Sequence, residues 1–180
     1  MASARVQRYP FAMTSRAPVH QPRRAADTSV AAIRASDGIL IGAPVEVVWA
    51  VLTDVEGYAR WWPWPLRVGE TRREEAIVGS TYEISPVAAP GFVCRVDSAA
   101  PPSKLRVRYV RGPFAGSGEW RLEPGEHAAQ TRACYAVDLT TGHLLLQPLA
   151  HVVSLGAVHS FVMGAVLAAL ARESERRAVP

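Results

Sequence analysis

The stretch from Leu149 to Ala171 constrains the fold most, because it carries no charged residue and no proline and is long enough to cross a bilayer. At about 100° per residue, its large apolar side chains fall on one arc and its small or mildly polar ones on the other. The large arc holds Leu149, Val152, Leu155, His159, Val162, Met163, Val166, Leu167 and Leu170. The opposite arc holds Ser154, Ala157, Ser160, Phe161, Gly164, Ala165 and Ala168. This asymmetry predicts a soluble helix packed on a sheet and no integral membrane span. The alternative is a membrane helix paired through its row of small residues.

Positive charge is concentrated at the start of the chain. Residues 1–34 hold six arginines against one aspartate, whereas the remainder has no basic excess. The domain therefore offers nothing that favours nucleic acid as a partner. Residues 1–29 are rich in Arg, Ser, Ala and Pro without apolar periodicity, which predicts a disordered tail or a misassigned start with Met13 as initiator. A transit peptide is the alternative, and without a visible secretory signal the expected compartment is the cytoplasm.

Two cysteines, Cys94 and Cys134, lie inside predicted strands. They are expected to be buried thiols rather than a disulfide, as is usual in a reducing compartment. The sequence lacks the CxxC, HxxxH and HExxH spacings that bind metals. We therefore predict no metal site and no cofactor.

The chain is expected to begin its domain with a strand over residues 30–41, bulged near Asp37 and Gly38, with Ile39 and Ile41 on one face. Ala43 and Pro44 then open a helix that Glu46 complements electrostatically, followed by apolar residues at helical spacing. A second short helix is predicted from Asp54, as N-cap, to Trp61, where two prolines prevent its continuation.

Beyond the second helix the apolar period changes to two, which predicts strands. The six candidates are Leu66–Arg72, Ser80–Pro86, Phe92–Asp97, Lys104–Arg111, Gly116–Glu123 and Gln130–Thr140, with Gly142 ending the last. Turn residues separate them in the manner of hairpins. Alternation assigns an inner face that holds Tyr82, Ile84, Leu105, Val107, Tyr109, Trp120, Leu122, Ala133, Tyr135, Val137 and Leu139.

This order predicts an α+β domain over residues 30–175. A seven-stranded curved antiparallel sheet wraps around the long C-terminal helix, with two short helices after the first strand. Only the final helix is long enough to cover the apolar face of the sheet. The short helices are expected to close one end.

The segment from Ile39 to Pro65 resembles the opening of the START/polyketide cyclase-like superfamily (SRPBCC), which has the helix-grip fold. The resemblance lies in a strand followed by APVEVVW on the first helix and DVEGYARWWP on the second. The later elements agree, so the resemblance covers roughly residues 30–172. It implies a ligand site between the concave sheet and the long helix. The superfamily includes hydrophobic-ligand carriers as well as polyketide cyclases and dehydratases.

The face assignments indicate which side chains would line such a site. The candidate ligand-binding residues are Tyr82, Phe92, Tyr109, Trp120, Tyr135, Leu155, His159 and Met163, together with Val152, Val162 and Val166. A mainly apolar chamber with a few hydroxyls and one imidazole suits an aromatic or lipid-like molecule. The alternative is that these side chains simply fill the core.

His159 is the most informative titratable residue, because it lies in the middle of the large apolar arc. It would bind a ligand oxygen or act as an acid or base, or else it is a neutral core histidine bonded to a tyrosine hydroxyl, which we favour. His143 and His151 are expected at exposed positions without a role. Trp61, Trp62 and Trp64 are expected to plug the end of the sheet and in part to line the mouth of the pocket. Phe161 is a candidate contact surface.

No catalytic constellation is evident, since alternation places the arginines outward and predicts no inward carboxylate. Three hypotheses follow. The leading one is a binding domain for a hydrophobic small molecule, as a monomer or homodimer. The second is a polyketide cyclase/dehydratase-like enzyme that uses Tyr82, Tyr109, Tyr135 and His159. The third is a membrane-surface or protein-interaction module that uses the outer helix face and the arginine-rich tail.

Overall fold

An antiparallel sheet curls around a long helix in the computed structural model, which describes residues 7–8, 31–87, 89–127, 129–141 and 154–179. The strands are β1 (Gln7–Arg8), β2 (Ala31–Ile41), β3 (Leu66–Arg72), β4 (Thr81–Pro86), β5 (Phe92–Ala100), β6 (Lys104–Arg111), β7 (Ala115–Pro124) and β8 (Thr131–Thr141). The helices are α1 (Val45–Thr53), α2 (Tyr58–Trp61) and α3 (Leu155–Ala178). The sheet order is β1-β2-β8-β7-β6-β5-β4-β3. The seven longer strands and the long C-terminal helix confirm the predicted α+β helix-grip architecture.

Strand β2 runs without interruption along β8, from Ala31 opposite Thr141 to Ile41 opposite Thr131. The predicted bulge near Asp37 and Gly38 is therefore wrong. Because the register never shifts, Asp37 points to the same side as Ile39 and Ile41, and all three side chains are buried. The prediction that no carboxylate points inward is wrong for the same reason.

The two short helices form as the sequence predicts. Pro44 immediately precedes α1, whose Val48, Val51 and Leu52 are buried. The Asp54 carboxylate accepts a hydrogen bond of 3.1 Å from the backbone N–H of Gly57 and caps a 3-10 turn, Val55–Gly57, which leads into α2. Helix α2 ends at Trp61, just before the prolines.

The strands carry the predicted alternation. Leu105 and Val107 are buried between exposed basic residues on β6, and Trp120 and Leu122 are buried on β7. Strand β5 extends three residues beyond its predicted end, to Ala100. Both cysteines are free thiols, Cys94 buried and Cys134 half-buried.

Helix α3 lies along β2 in the same direction as that strand. Its first turn approaches the strand closely, since a Cβ added at Gly156 would lie 3.2 Å from the carbonyl oxygen of Arg34. Near its other end, the Glu175 carboxylate accepts a hydrogen bond of 3.0 Å from the backbone N–H of Gly42. The large arc predicted from sequence faces inward, with Met163, Val166, Leu167 and Leu170 buried. Residues Leu149 and Val152, and the two histidines His143 and His151, lie outside the described residues.

Among the described helices, α3 alone is long and apolar enough to cross a membrane. Its packing makes it the core helix of the sheet, as the sequence predicts. It also extends past Ala171 to Ala178. In this extension the Glu173 carboxylate is buried and receives hydrogen bonds from Arg176 at 2.7 Å and Arg177 at 2.8 Å. These cations offset the cost of burying the carboxylate, so the helix continues beyond its uncharged stretch.

Candidate ligand-binding site

A cavity of about 280 Å³ lies between the concave face of the sheet and α3. Its walls come from seven strands, β2 to β8, from loops between them, and from the first half of α3. All eight candidate ligand-binding residues line it: Tyr82, Phe92, Tyr109, Trp120, Tyr135, Leu155, His159 and Met163. Val162 and Val166 line it as well. The structure thus brings the predicted set together around one space.

Three aromatic rings form the wall near the β6–β7 turn. The ring centroids of Phe92 and Tyr109 lie 5.3 Å apart in a stacked arrangement, and Phe114 meets Phe92 edge-on at 5.8 Å. The turn that places Phe114 requires glycine at position 112, where φ is +115° and an added Cβ would lie 2.7 Å from the carbonyl oxygen of Gly91. Phe114 follows a turn rather than a strand, so alternation did not identify it.

A second aromatic group continues the wall onto α3. The rings of Trp120 and Tyr135 lie 4.5 Å apart, and Tyr135 stacks on the imidazole of His159 at 6.2 Å. The Tyr135 hydroxyl lies 3.2 Å from the Tyr109 hydroxyl, within hydrogen-bonding distance. Two hydroxyls and one imidazole therefore converge on a mainly apolar space.

The third aromatic group closes the end of the sheet near α2. Tyr58 contacts Trp61, Trp62 and Tyr82, and its hydroxyl donates a hydrogen bond of 2.6 Å to the carbonyl oxygen of Leu52. Trp61 is buried in this cluster, and Trp62 lines the cavity. Trp64 is 79% exposed and does not line it. Trp62 therefore lines the pocket and Trp61 plugs the end of the sheet, whereas Trp64 does neither.

Burial keeps the hydroxyls and the thiol of this site protonated. It raises the pKa of Tyr82, Tyr109 and Tyr135 well above the usual value, so each offers a neutral O–H. Burial likewise raises the pKa of the Cys94 thiol to about 12, although a hydrogen bond with Tyr82 partly offsets the shift. A neutral, buried thiol is a poor nucleophile.

His159 is neutral for the same physical reason. Burial lowers the pKa of its imidazole to about 4, while the carboxylate of Asp37 acts in the opposite direction. The Nδ1 atom is enclosed and has no hydrogen-bond partner. The neutral state agrees with the favoured prediction, but the expected bond to a tyrosine hydroxyl is not formed, because the Tyr135 hydroxyl is directed toward Tyr109.

Sequence reasoning missed Asp37. Its side chain is 1% exposed, and neither carboxylate oxygen has a hydrogen-bond partner. An aspartate followed by glycine inside an apolar strand is typical of a turn or bulge, which is why the pattern was misinterpreted. Uninterrupted alternation on both sides of Asp37 is the signal that would have placed it inward.

The arginines of strands β2 to β8 lie on the outer surface as predicted. Arg108, for example, donates a hydrogen bond of 2.6 Å to Asp97, which also pairs with Arg95. Among the described residues no group of three His, Cys, Asp or Glu side chains is arranged to hold a metal ion.

Residues 41–165 match the family model described as polyketide cyclase / dehydrase and lipid transport. The chain belongs to this family. A search of curated protein sequences gives no match. The match extends from the end of β2 into α3 and therefore covers every strand of the cavity wall except the greater part of β2. The resemblance that the sequence shows to the SRPBCC superfamily is thereby confirmed.

Solved structures share the fold of this chain. The Zhui aromatase/cyclase from Streptomyces sp. R1128 has a TM-score of 0.66 at 26% identity, over 82% of this chain and 96% of that one. A protein from Thermus thermophilus has a TM-score of 0.64 at 17% identity, over 82% and 99%. Norcoclaurine synthase from Thalictrum flavum has a TM-score of 0.60 at 8% identity, over 83% and 98%. At these low identities, the last two comparisons show a likeness of fold to this chain and nothing further.

Proposed function

We propose that this domain binds a hydrophobic small molecule with at least one aromatic ring, in the cavity between the sheet and α3. The cavity itself carries the proposal. Protein cores rarely leave voids larger than a water molecule, which occupies about 30 Å³ of liquid. A space of about 280 Å³ lined mainly by apolar side chains is close in size to known ligand pockets.

The character of the walls supports an aromatic ligand. Phe92, Tyr109 and Trp120 present ring surfaces on which a flat molecule can stack. The Tyr109 and Tyr135 hydroxyls are neutral and share one hydrogen bond, which leaves the O–H of one of them to donate to a carbonyl or phenol oxygen on that molecule. The family's own description, which includes both cyclisation and lipid transport, agrees with a ligand of this kind.

Binding can be tested by calorimetric titration with 1-naphthol, a two-ring phenol. The variant Met163→Trp enlarges a buried side chain that lines the cavity, so we expect it to weaken binding at least tenfold. The control Val110→Trp makes a comparable change at an exposed site on β6 and should leave affinity unchanged. Equal affinities for the two variants would contradict the proposal.

A polyketide cyclase/dehydratase-like activity is the second candidate. The observation that favours it is the convergence of the Tyr109 and Tyr135 hydroxyls with His159, a group able to accept a proton. His159→Ala separates the two functions. A carrier should largely retain its ligand after this change, as judged by native mass spectrometry, whereas an enzyme should lose turnover.

The proposal includes a cytoplasmic, water-soluble domain, because α3 is used as a core helix. The hypothesis of a membrane-surface or protein-interaction module is supported by the outer face of α3, on which Phe161 is 84% exposed. Separation of the expressed protein into soluble and membrane fractions tests this point. Recovery only from membranes would contradict it.

A further inference from the structure

Asp37 presents an unpaired carboxylate to the protein interior. Its side chain is 1% exposed, and neither oxygen has a hydrogen-bond partner. Burying a carboxylate in this way is unfavourable unless a cation or a donor compensates for it. Buried polar groups without a partner are rare in folded proteins, and each of them requires a reason. The fold therefore carries a destabilising charge at this position.

The position of Asp37 is directly beside the wall of the cavity. In the sheet register it is opposite Tyr135 of β8, and opposite residues of an antiparallel pair project from the same face with Cβ atoms about 4.5–5.5 Å apart. Tyr135 lines the cavity, and so does Ile33, which lies on the same face of β2 as Asp37. A ligand that contacts the Tyr135 ring therefore lies on the order of 10 Å from the Asp37 carboxylate.

The cavity wall offers no positive charge that would balance this carboxylate. The described residues that line the cavity include no Lys, Arg, Asp or Glu. His159 is the one lining residue among them that could become a cation, and it is neutral at pH 7 because burial lowers the pKa of its imidazole to about 4. The arginines of strands β2 to β8 lie on the outer surface, where solvent screens their charge. The negative charge of Asp37 therefore acts on the cavity without an opposing charge in the described wall.

A charge at this distance has a measurable effect on binding. At an effective dielectric constant of about 20, two unit charges roughly 10 Å apart interact strongly enough to change an affinity about tenfold. The effect is unfavourable for an anion and favourable for a cation of the same shape. An anion that entered the cavity would also lose its hydration without gaining a cation as a partner. Both effects disfavour a ligand with a carboxylate or phosphate group.

We propose that Asp37 is a specificity-determining residue that excludes anionic ligands, so that the cavity takes a neutral or basic aromatic molecule. This inference rests on the proposed function, because selection by charge needs a ligand in the cavity. It excludes free fatty acids, phospholipids and aromatic carboxylic acids. Aromatic alcohols, ketones and amines are the ligand classes that it leaves.

Calorimetric titration at pH 7 with three ligands of similar shape tests this selection. 1-Naphthalenemethanol is neutral, 1-naphthylmethylamine carries an ammonium group, and 1-naphthoic acid carries a carboxylate. For the wild type we expect the acid to bind at least tenfold more weakly than either the alcohol or the amine. An acid that binds as tightly as the alcohol would overturn the inference, and this result does not depend on the folding of a variant.

The contribution of Asp37 is measured by the ratio of the amine affinity to the acid affinity. Both ligands lose a hydrated charge on binding, so their ratio depends mainly on the sign of the electrostatic potential in the cavity. We expect Asp37→Asn, which preserves the shape of the side chain, to lower this ratio at least tenfold. Asp138→Asn is the matched control and should leave the ratio unchanged, because Asp138 is an exposed carboxylate paired with Arg34 on the outer face. An unchanged ratio in Asp37→Asn would overturn the inference.

A further variant examines the cation that the sheet register places opposite Asp37, which is Arg8 on β1. A positive charge at this position would reduce the effect of the carboxylate on the cavity. Arg8→Gln should therefore give a ratio of amine to acid affinity at least as high as that of the wild type, and a lower ratio would contradict the inference. If none of the three ligands and no 1-naphthol binds, the proposed function itself fails. If all three bind equally well, only the selection by charge fails.

Discussion

At the scale of single residues, the neutral imidazole of His159 makes the stability of the fold depend on pH. Its pKa is about 4 in the folded chain, mainly because of burial, and about 6.5 when exposed. The unfolded chain therefore binds a proton at higher pH than the folded one, and stability present above pH 6.5 is lost as the pH falls toward 4. Between pH 7.5 and pH 5 we expect the free energy of unfolding to fall by about 2 kcal/mol.

Urea denaturation followed by circular dichroism measures this dependence. The variant His159→Gln removes the titrating group and should flatten the curve over the same range. A slope that persists unchanged in His159→Gln would show that another group is responsible.

Gly118 is a second residue whose identity matters to the site. A Cβ at this position would collide with the Tyr135 hydroxyl, and Tyr135 cannot easily move because its ring is held between Trp120 and His159. We expect Gly118→Ala to cost about 1–3 kcal/mol of unfolding free energy, as overpacking does, and to weaken 1-naphthol binding by displacing Tyr135.

Gly164→Ala is the matched control for that substitution. An added Cβ there has nothing within 4 Å, and the residue lies inside α3. Because alanine has a higher helix propensity than glycine, this substitution should increase the free energy of unfolding by about 0.5–1 kcal/mol. Equal stability of Gly118→Ala and Gly164→Ala in urea titrations would show that close packing against Tyr135 does not require glycine at position 118.

At the scale of structural elements, the β6–β7 turn closes one end of the cavity and depends on Gly112. With φ at +115° and an added Cβ 2.7 Å from the Gly91 carbonyl oxygen, an alanine strains the turn. Gly112→Ala should lower the free energy of unfolding by about 1–3 kcal/mol and reduce 1-naphthol affinity, because Phe114 follows the turn. Gly69→Ala, whose added Cβ makes only ordinary contacts, should change affinity little. Calorimetry distinguishes these results.

Elements also show which features of the sequence were sufficient for prediction. The strands follow from alternation, and β6 is correct to both ends because Lys104, Arg106 and Arg108 alternate with its inward apolar residues. The eight cavity residues could be named because each lies on a regular strand or helix. Phe114 was not predicted, because it follows Pro113, where no period fixes the direction of a side chain. Trp62, beside Pro63, could be expected only as one of three tryptophans near the mouth of the pocket. Asp37 was missed because its polarity indicated an irregularity that the β2–β8 register excludes.

The end of α3 was underestimated for a similar reason. The apolar stretch stops at Ala171, but pairing within the helix allows Glu173 to be buried three residues after the last large apolar side chain, Leu170. Hydropathy registers the charge of each residue separately. It cannot show that two arginines on the next turn compensate for one carboxylate.

At the scale of the whole molecule, Arg177 links the end of α3 to the junction between α1 and α2. It pairs with Glu173 at 2.8 Å on its own helix and with Asp54 at 3.1 Å, at the junction between α1 and α2. Hydrogen bonds from Arg176 contribute most to lowering the pKa of Glu173 to about 2, and Arg177 adds to the effect. The stability that this carboxylate provides is thus present above about pH 4.5 and is lost as the pH falls toward 2.

A chain that ends at the sequence-predicted boundary, residue 175, lacks both arginines and leaves the Glu173 carboxylate buried without a cation. We expect residues 30–175 to unfold about 1–3 kcal/mol more easily at pH 7 than residues 30–179, because removing one partner exposes the desolvation cost of the other. The difference should narrow at pH 3, because the stability that the two arginines give through Glu173 in the longer chain is lost as the pH falls toward 2. Urea midpoints at the two pH values measure it, with Glu74→Gln, which breaks an exposed ion pair with Arg72, as a control expected to change little. Identical midpoints for the two chains at pH 7 would mean that the last turn of α3 contributes no stability through these charges.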